Sequence, residues 1–342
     1  MRNLLLLILL APLGVAAQNP VPLTLKETES LWLEHSRELG LARAAVSGAA
    51  ADVRTAGQLP NPDLSLNVLS ISPGSGFGAG GLKDKKMDSQ LRVDQLIERG
   101  GKRDLRIKGA EARLAAAGLD LDDTARQQLG VLRYAYYNLR LAQEKLAIAR
   151  DTAELYGKAA EAGRLRLEAG DLAPVDVSRL QIDKARADAD ARQAEADLDQ
   201  ARVALAYLIG RESDGTSLVA ADNWPSLEEQ ALEQAPLDQR PDLEAARKRL
   251  AAAEADRDLA RAKKNRDVTV GFQLERNLQN APTNSFGFGV SVPLFIWHEY
   301  EGDIARAESD LDVARQQLAQ QQAVAVGQVA QAEATPDALL RL

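Results

Sequence analysis

The sequence predicts a mostly α-helical protein with a membrane β part, in which long antiparallel helices form a tube continuous with a barrel of strands. Three observations carry that prediction. First, the chain repeats itself. PDLSLNVLSI (Pro62–Ile71) and DSQLRVDQLI (Asp88–Ile97) precede a very long Ala-rich segment, and RDVTVGFQLE (Arg266–Glu275) and FGFGVSVPLF (Phe286–Phe295) precede another. Internal self-similarity takes precedence when a fold is read from sequence. Second, the Ala-rich segments keep heptad spacing over lengths that globular helices rarely reach. Third, the N-terminus has a secretory pattern, yet no later run is apolar enough to cross a bilayer as a helix, so strands must carry any membrane residence.

Met1–Ala17 reads as a signal peptide: Arg2, then LLLLILL, then small residues ending Val15-Ala16-Ala17. Pro12 and Gly14 interrupt the apolar run, which falls short of the ~20 residues a spanning helix needs. After it come a first repeat (18–210), a connector (211–239) and a second repeat (240–342), with β-hairpins at 62–97 and 267–295.

The first helix is expected over Leu23–Gly57, where Leu25, Thr28, Trp32, His35, Leu39, Ala42, Val46 and Ala49 step by three and four, with Pro60 ending it. In the next strand Leu64, Leu66 and Val68 face one way and Ser65 and Asn67 the other. Ser72–Met87, with five glycines and Lys83-Asp84-Lys85-Lys86, reads as an exposed loop. The second strand sets Leu91, Val93 and Gln95 against Arg92, Asp94 and Leu96. Gly100-Gly101-Lys102-Arg103 then opens a helix to Ala169, about 67 residues and roughly 100 Å at 1.5 Å per residue. Its rhythm shifts between Leu121 and Leu129, which partly unwinds the supercoil that a strict heptad imposes. A turn at Gly170–Pro174 leads to a return helix, Val175–Ile209, whose seam runs Val177, Leu180, Lys184, Ala187, Ala191, Ala194, Leu198, Ala201 and Leu205. The first helix and the return helix, end to end, match the long one in height. The connector holds one short helix, Leu227–Gln234. A helix to about Lys264, the second hairpin and a final helix over Glu299–Ala334 complete the chain.

The net charge of −8, from 42 basic and 50 acidic residues, argues against nucleic acid as a partner. The absence of cysteine removes disulfides, thiolate chemistry and Cys-based zinc sites. His35 and His298 have no acidic neighbours at ligand spacing, and no nucleophile elbow, P-loop or dinucleotide fingerprint is present. The expectation is therefore a protein that is not an enzyme, with no catalytic residues, no metal site and no cofactor. Asp120, Asp122, Asp123, Asp188 and Asp190 are read as i,i+4 partners of nearby arginines. Four strands are too few to close a barrel and an open edge is not tolerated in lipid, so the strand count demands oligomerisation.

An ordered set of segments gives the chain a family resemblance. QLPNPDLSL (Gln58–Leu66), VDQLIERGGKR (Val93–Arg103), AGDLAPVDV (Ala169–Val177), ALAYLIG (Ala204–Gly210), QRPDLEAA (Gln239–Ala246) and SVPLF (Ser291–Phe295) together resemble the TolC-like outer-membrane efflux family. The Pro60-Asn61-Pro62 turn and the Gly100–Arg103 strand-to-helix junction are most similar to its cation-efflux branch, of cobalt–zinc–cadmium or copper–silver type. The resemblance implies a homotrimer with four strands per protomer in one outer-membrane β-barrel, surrounded by outer-membrane lipid, above a periplasmic α-barrel. It further implies a periplasmic membrane-fusion adaptor and an inner-membrane RND pump as partners. Carried over residue by residue, Arg166, Gly170, Asp171, Asp176 and Val177 form the adaptor-contact tip turn, with Pro174 where Ser or Thr is usual.

In that family the second unit also has a tip turn and a return helix, and it carries acidic constriction residues. This chain stops at Leu342 before either, so the resemblance implies a C-terminally truncated reading frame. The alternatives are a periplasmic coiled-coil adaptor or scaffold and an inactive truncated channel. The alternation at Phe286–Val292 favours the membrane reading over the scaffold.

Overall fold

The computed structural model describes residues 20–70, 87–225, 237–278 and 283–339. The expected signal peptide, the expected glycine-rich loop apart from Met87, and the expected short helix at Leu227–Gln234 lie outside them. The chain divides into two compact units, Met1–Leu41 with Thr124–Leu232, and Ala42–Asp123 with Glu233–Leu342.

The second of these units holds a four-stranded antiparallel sheet. Its strands are β2 (Asp63–Leu69), β3 (Asp88–Ile97), β5 (Val268–Asn277) and β6 (Thr283–Ser291), in the order β2-β3-β5-β6. Each expected hairpin forms, and the two are joined by β3 against β5, with Leu91 opposite Leu274 and Val93 opposite Phe272. Helices α5 (Pro241–Ala262) and α6 (Glu301–Leu339) pack together, burying Ala252, Ala255, Leu311 and Ala314. Arg261–Glu308 and Lys263–Asp303 flank that seam as exposed pairs. Small seam residues let helices approach closely, which is what the Ala-rich composition serves. Asp120 pairs across helices with Arg249, and Asp188 pairs with Lys184. The reading of Asp120 as a local helical partner of arginine is corrected, because a neighbouring helix brings Arg249 to it, while Asp188 keeps the i,i+4 spacing with a lysine in place of an arginine.

In the other unit, α3 (Lys102–Glu168) contributes its second half and α4 (Pro174–Leu208) returns beside it. Leu132, Tyr136, Leu139 and Leu146 of α3 are buried, as are Val177, Ala187, Leu198, Ala201 and Leu205 of α4. The expected seam therefore faces inward, except at Lys184, which is exposed.

The first helix departs from expectation. It breaks into α1 (Leu25–His35) and α2 (Arg37–Gly57), because Ser36 takes an extended conformation with ψ 122°. The Ser36 hydroxyl accepts from the Leu39 amide at 3.3 Å, capping the new helix. The break shifts the seam by one residue, so Ser36 is buried while His35 is half-exposed.

A short strand, β1 (Val21–Leu23), pairs in parallel with β4 (Leu218–Ala220) of the connector. Tyr136 secures this pair. Its hydroxyl lies 2.9 Å from the Leu23 carbonyl and 3.0 Å from the Asp222 carboxylate, and it accepts from the Asp222 amide. Asp222 also accepts from the Leu25 amide at 2.6 Å, at the start of α1. Burial pushes the Tyr136 phenol up, which keeps it a neutral donor. Tyr136→Phe leaves the Asp222 amide without its acceptor inside the unit and takes one of two donors from the Leu23 carbonyl, which keeps the Ala221 amide at 3.0 Å. We expect a loss of about 1–3 kcal/mol, read as a lower Tm with unchanged secondary structure.

Candidate functional site

The sheet sorts its side chains by face. Along one face run Leu64, Leu66 and Val68, then Leu91 and Val93, then Val270, Phe272 and Leu274, then Phe286, Phe288 and Val290. All of them are exposed, Phe288 at 78% and Leu64 at 69%. A single chain in water does not leave so large a contiguous apolar surface bare without a partner for it. The opposite face is mainly polar, with Leu69 and Leu96 as exceptions. There Asn67 donates to Gln90 at 3.2 Å, Gln90 to Gln273 at 3.1 Å, and Arg92 pairs with Asp94 at 2.7 Å. Gly271 is the space for that pair, since a Cβ there would meet the Arg92 guanidinium and the Asp94 carboxylate. Apolar on one side and hydrated on the other is the arrangement of a transmembrane barrel wall.

The strand-to-helix junction, with Gly100, Gly101, Lys102 and Arg103, stitches both hairpins to their helices. Gly100 and Gly101 have φ of +75° and +68°, which L side chains rarely adopt. A Cβ on Gly100 would also lie 2.5 Å from the Asn265 side chain, so only glycine fits. The Lys102 ammonium is buried and donates to the Asn265 carbonyl at 2.7 Å and to Asp267 at 2.8 Å. Asp267 accepts as well from the Arg99 amide at 2.8 Å. Arg103 donates to the Gly57 carbonyl at the end of α2, at 2.8 Å. Lys102 and Arg103 thus tie the start of α3 to the ends of two other helices.

Beside the junction, Glu98 forms a bidentate pair with Arg106. The Arg106 guanidinium holds the Glu98 carboxyl below its ordinary value of 4.5, against the opposing effect of burial. A folded pKa below the unfolded one gives stability that is present above about 4.5 and lost as pH falls through the folded value. Glu98→Gln is therefore expected to lower Tm at pH 7 and to flatten its decline toward pH 3. A thermal series across that range checks both.

The tip turn joins α3 to α4. The Gly170 amide donates to the Leu167 carbonyl at 3.0 Å and the Asp171 amide to the Arg166 carbonyl at 2.8 Å. With Gly170 at φ +84°, this is a Schellman end. Pro174 opens α4, and the N-cap is Ala173, which has no side-chain acceptor. The cap hydrogen bond that Ser or Thr would supply is absent; the Asp176 amide reaches the Ala173 carbonyl at 3.1 Å instead. Asp176 sits in the first turn, where a negative charge meets the positive end of the helix dipole. Among the expected tip residues, Arg166 and Asp171 are exposed and Asp176 is half-exposed. Val177 is only 5% exposed and packs inward between the helices. Gly163 and Leu180 bring the two helices close just before the turn.

Sequence reasoning missed the Glu98–Arg106 and Lys102–Asp267 pairs and the Tyr136–Asp222 lock. The first had a local signal, since the partners are eight residues apart. The others are separated by 165 and 86 residues and had none. Among the described residues, no group of His, Asp and Glu could hold a metal ion, and no helix is long and apolar enough to cross a membrane.

The family profile described as "Outer membrane efflux protein" matches residues 30–211 and 232–341. No curated protein matches the sequence. Among solved structures, the outer membrane protein VceC from Vibrio cholerae is 21% identical with a TM-score of 0.72, over 92% of this chain and 79% of that one. The CmeC outer membrane channel of Campylobacter jejuni is 17% identical with a TM-score of 0.75, over 89% and 68%. CusC, described with transmembrane channel formation, is 18% identical with a TM-score of 0.68, over 93% and 77%. At these identities the likeness is one of fold: long helices with a small β part.

Proposed function

Because the chain belongs to the outer membrane efflux protein family, we propose that it is the outer-membrane channel of a tripartite RND-type efflux system, a passive duct for heavy-metal cations or drugs. Its repeats, 18–210 and 240–342, each give one hairpin to the wall, and residues 211–239 form the equatorial connector. One observation carries the reading: a four-stranded sheet with a largely apolar exposed face and a mainly polar opposite face, ending in the edge strands β2 and β6. Such a sheet is stable in lipid only when its edges pair with other copies. Family likeness supports three copies, hence twelve strands, well above the roughly eight that a small barrel needs.

The tip turn, with Arg166, Gly170, Asp171 and Asp176 at the surface and Val177 beneath, is the docking point for a periplasmic adaptor that links the duct to an inner-membrane pump. The Pro60–Pro62 turn and the Gly100–Arg103 junction support the cation-exporting branch. A duct of this kind conducts without chemistry, since directionality comes from the pump. The test is fractionation of cells expressing the full chain. Detergent-dependent extraction from the outer membrane as a trimer, with loss of metal or drug resistance on deletion, is expected. A monomer that dissolves in plain buffer would leave only the coiled-coil scaffold.

A further inference from the structure

The four strands all meet their helices at one end of the sheet: α2 before β2, α3 after β3, α5 before β5 and α6 after β6. A cavity opens at this end, where Arg99, Lys264, Arg266, Phe295 and Glu299 line it together with Gly100 and Asn265 of the junction. Three cations face it against one carboxylate, in a chain whose net charge is −8. Among the described residues, none of the three is in ion-pair contact with a carboxylate, although most arginines of this protein are. Arg266 stacks on the Phe295 ring at 5.3 Å, which holds its guanidinium at the cavity. The segment next to the cavity is apolar and bare: Leu294 is 71% exposed, Ile296 65% and Trp297 94%.

We propose that this cavity is a binding site for the headgroup of an anionic phospholipid, of phosphatidylglycerol chemistry, in the leaflet nearest the helices. The proposal rests on the membrane reading of the sheet. The phosphate lies among Arg99, Lys264 and Arg266. The glycerol hydroxyls donate to Glu299, and the acyl chains run past Trp297 and Ile296 onto the apolar face. Unpaired cations that collect where the apolar wall ends match a phosphate held at that depth, and an exposed Trp belongs at the same boundary. The apolar flank argues against free phosphate, which has no chain to cover Ile296 and Trp297. The site would fix the barrel's depth in the membrane and brace the point at which strands turn into helices.

The test uses the full chain, purified in detergent and stripped of lipid, with phosphatidylglycerol added back and bound lipid counted by native mass spectrometry. The triple variant R99Q/K264Q/R266Q is expected to bind phosphatidylglycerol on the order of tenfold to 100-fold more weakly, since each basic residue near an anionic surface is worth roughly a factor of five. Assembly size in detergent shows whether the variant is intact. If it fails to assemble, the single variants R99Q, K264Q and R266Q are each expected to lose severalfold. Equal binding by wild type and variants overturns the site. So does equal wild-type affinity for phosphatidylglycerol and phosphatidylcholine, or displacement of the lipid by millimolar inorganic phosphate. If the membrane reading were itself wrong, wild type would be extracted without detergent, an outcome separate from all of these.

Discussion

Phe288→Arg is expected to abolish membrane assembly while leaving the helices folded. Phe288 is 78% exposed near the middle of β6, on the apolar face, opposite Phe272. An arginine at that depth costs about 2–4 kcal/mol in a barrel wall. The ring's contacts with Phe272 and Phe286, at centroid distances of 5.3 and 6.4 Å, are lost as well. In a closed oligomer every copy carries the same defect, so the effect is multiplied. Ser285→Arg, on the opposite face of the same strand, is the matched control and should insert normally. Folding into vesicles, followed by protection of the strands from protease, measures both. If the two variants insert equally well, the apolar face does not meet lipid.

The second large effect is expected at the junction. Lys102→Met removes a buried ammonium and leaves the Asn265 carbonyl and the Asp267 carboxylate without it. Breaking a buried charge pair from one side costs about 3–5 kcal/mol. Asp267→Ala should cost a similar amount, because it leaves the ammonium with one neutral acceptor. The double variant should cost clearly less than the two singles added together, since the second removal no longer orphans a charge. Denaturant titration of the assembled protein provides all three values. Additive losses would show that Lys102 and Asp267 act separately.

Much of this protein could be read from local pattern. The two-residue alternation in Val268–Leu274 and Phe286–Val290 and the three-four rhythm of Val177–Leu205 each reveal an element and the face its apolar side chains share, because side-chain direction repeats with fixed period in strands and helices. The Gly170 helix end was equally visible, as glycine before a proline marks a stop. The site was less visible. Val177, read both as a seam residue from its spacing and as a tip residue from family likeness, is 5% exposed, as its seam position requires. The break at Ser36 went unseen because heptad spacing continues across it, and only the capping of α2 reveals it.

By itself the sequence determined the long helices and the four strands of the membrane sheet, and that this sheet has one greasy and one wet face. It also excluded cysteine chemistry and a phosphate-backbone partner, since composition and periodicity are properties of neighbouring residues. The tertiary structure alone decided that β3 joins β5, that β1 pairs with β4 through Tyr136 and Asp222, and that Lys102 reaches Asp267. Those pairings depend on register and on which backbone groups come within 3 Å after distant segments meet. Hydrogen bonds of that kind form between groups that sequence order does not bring together, so no local pattern encodes them.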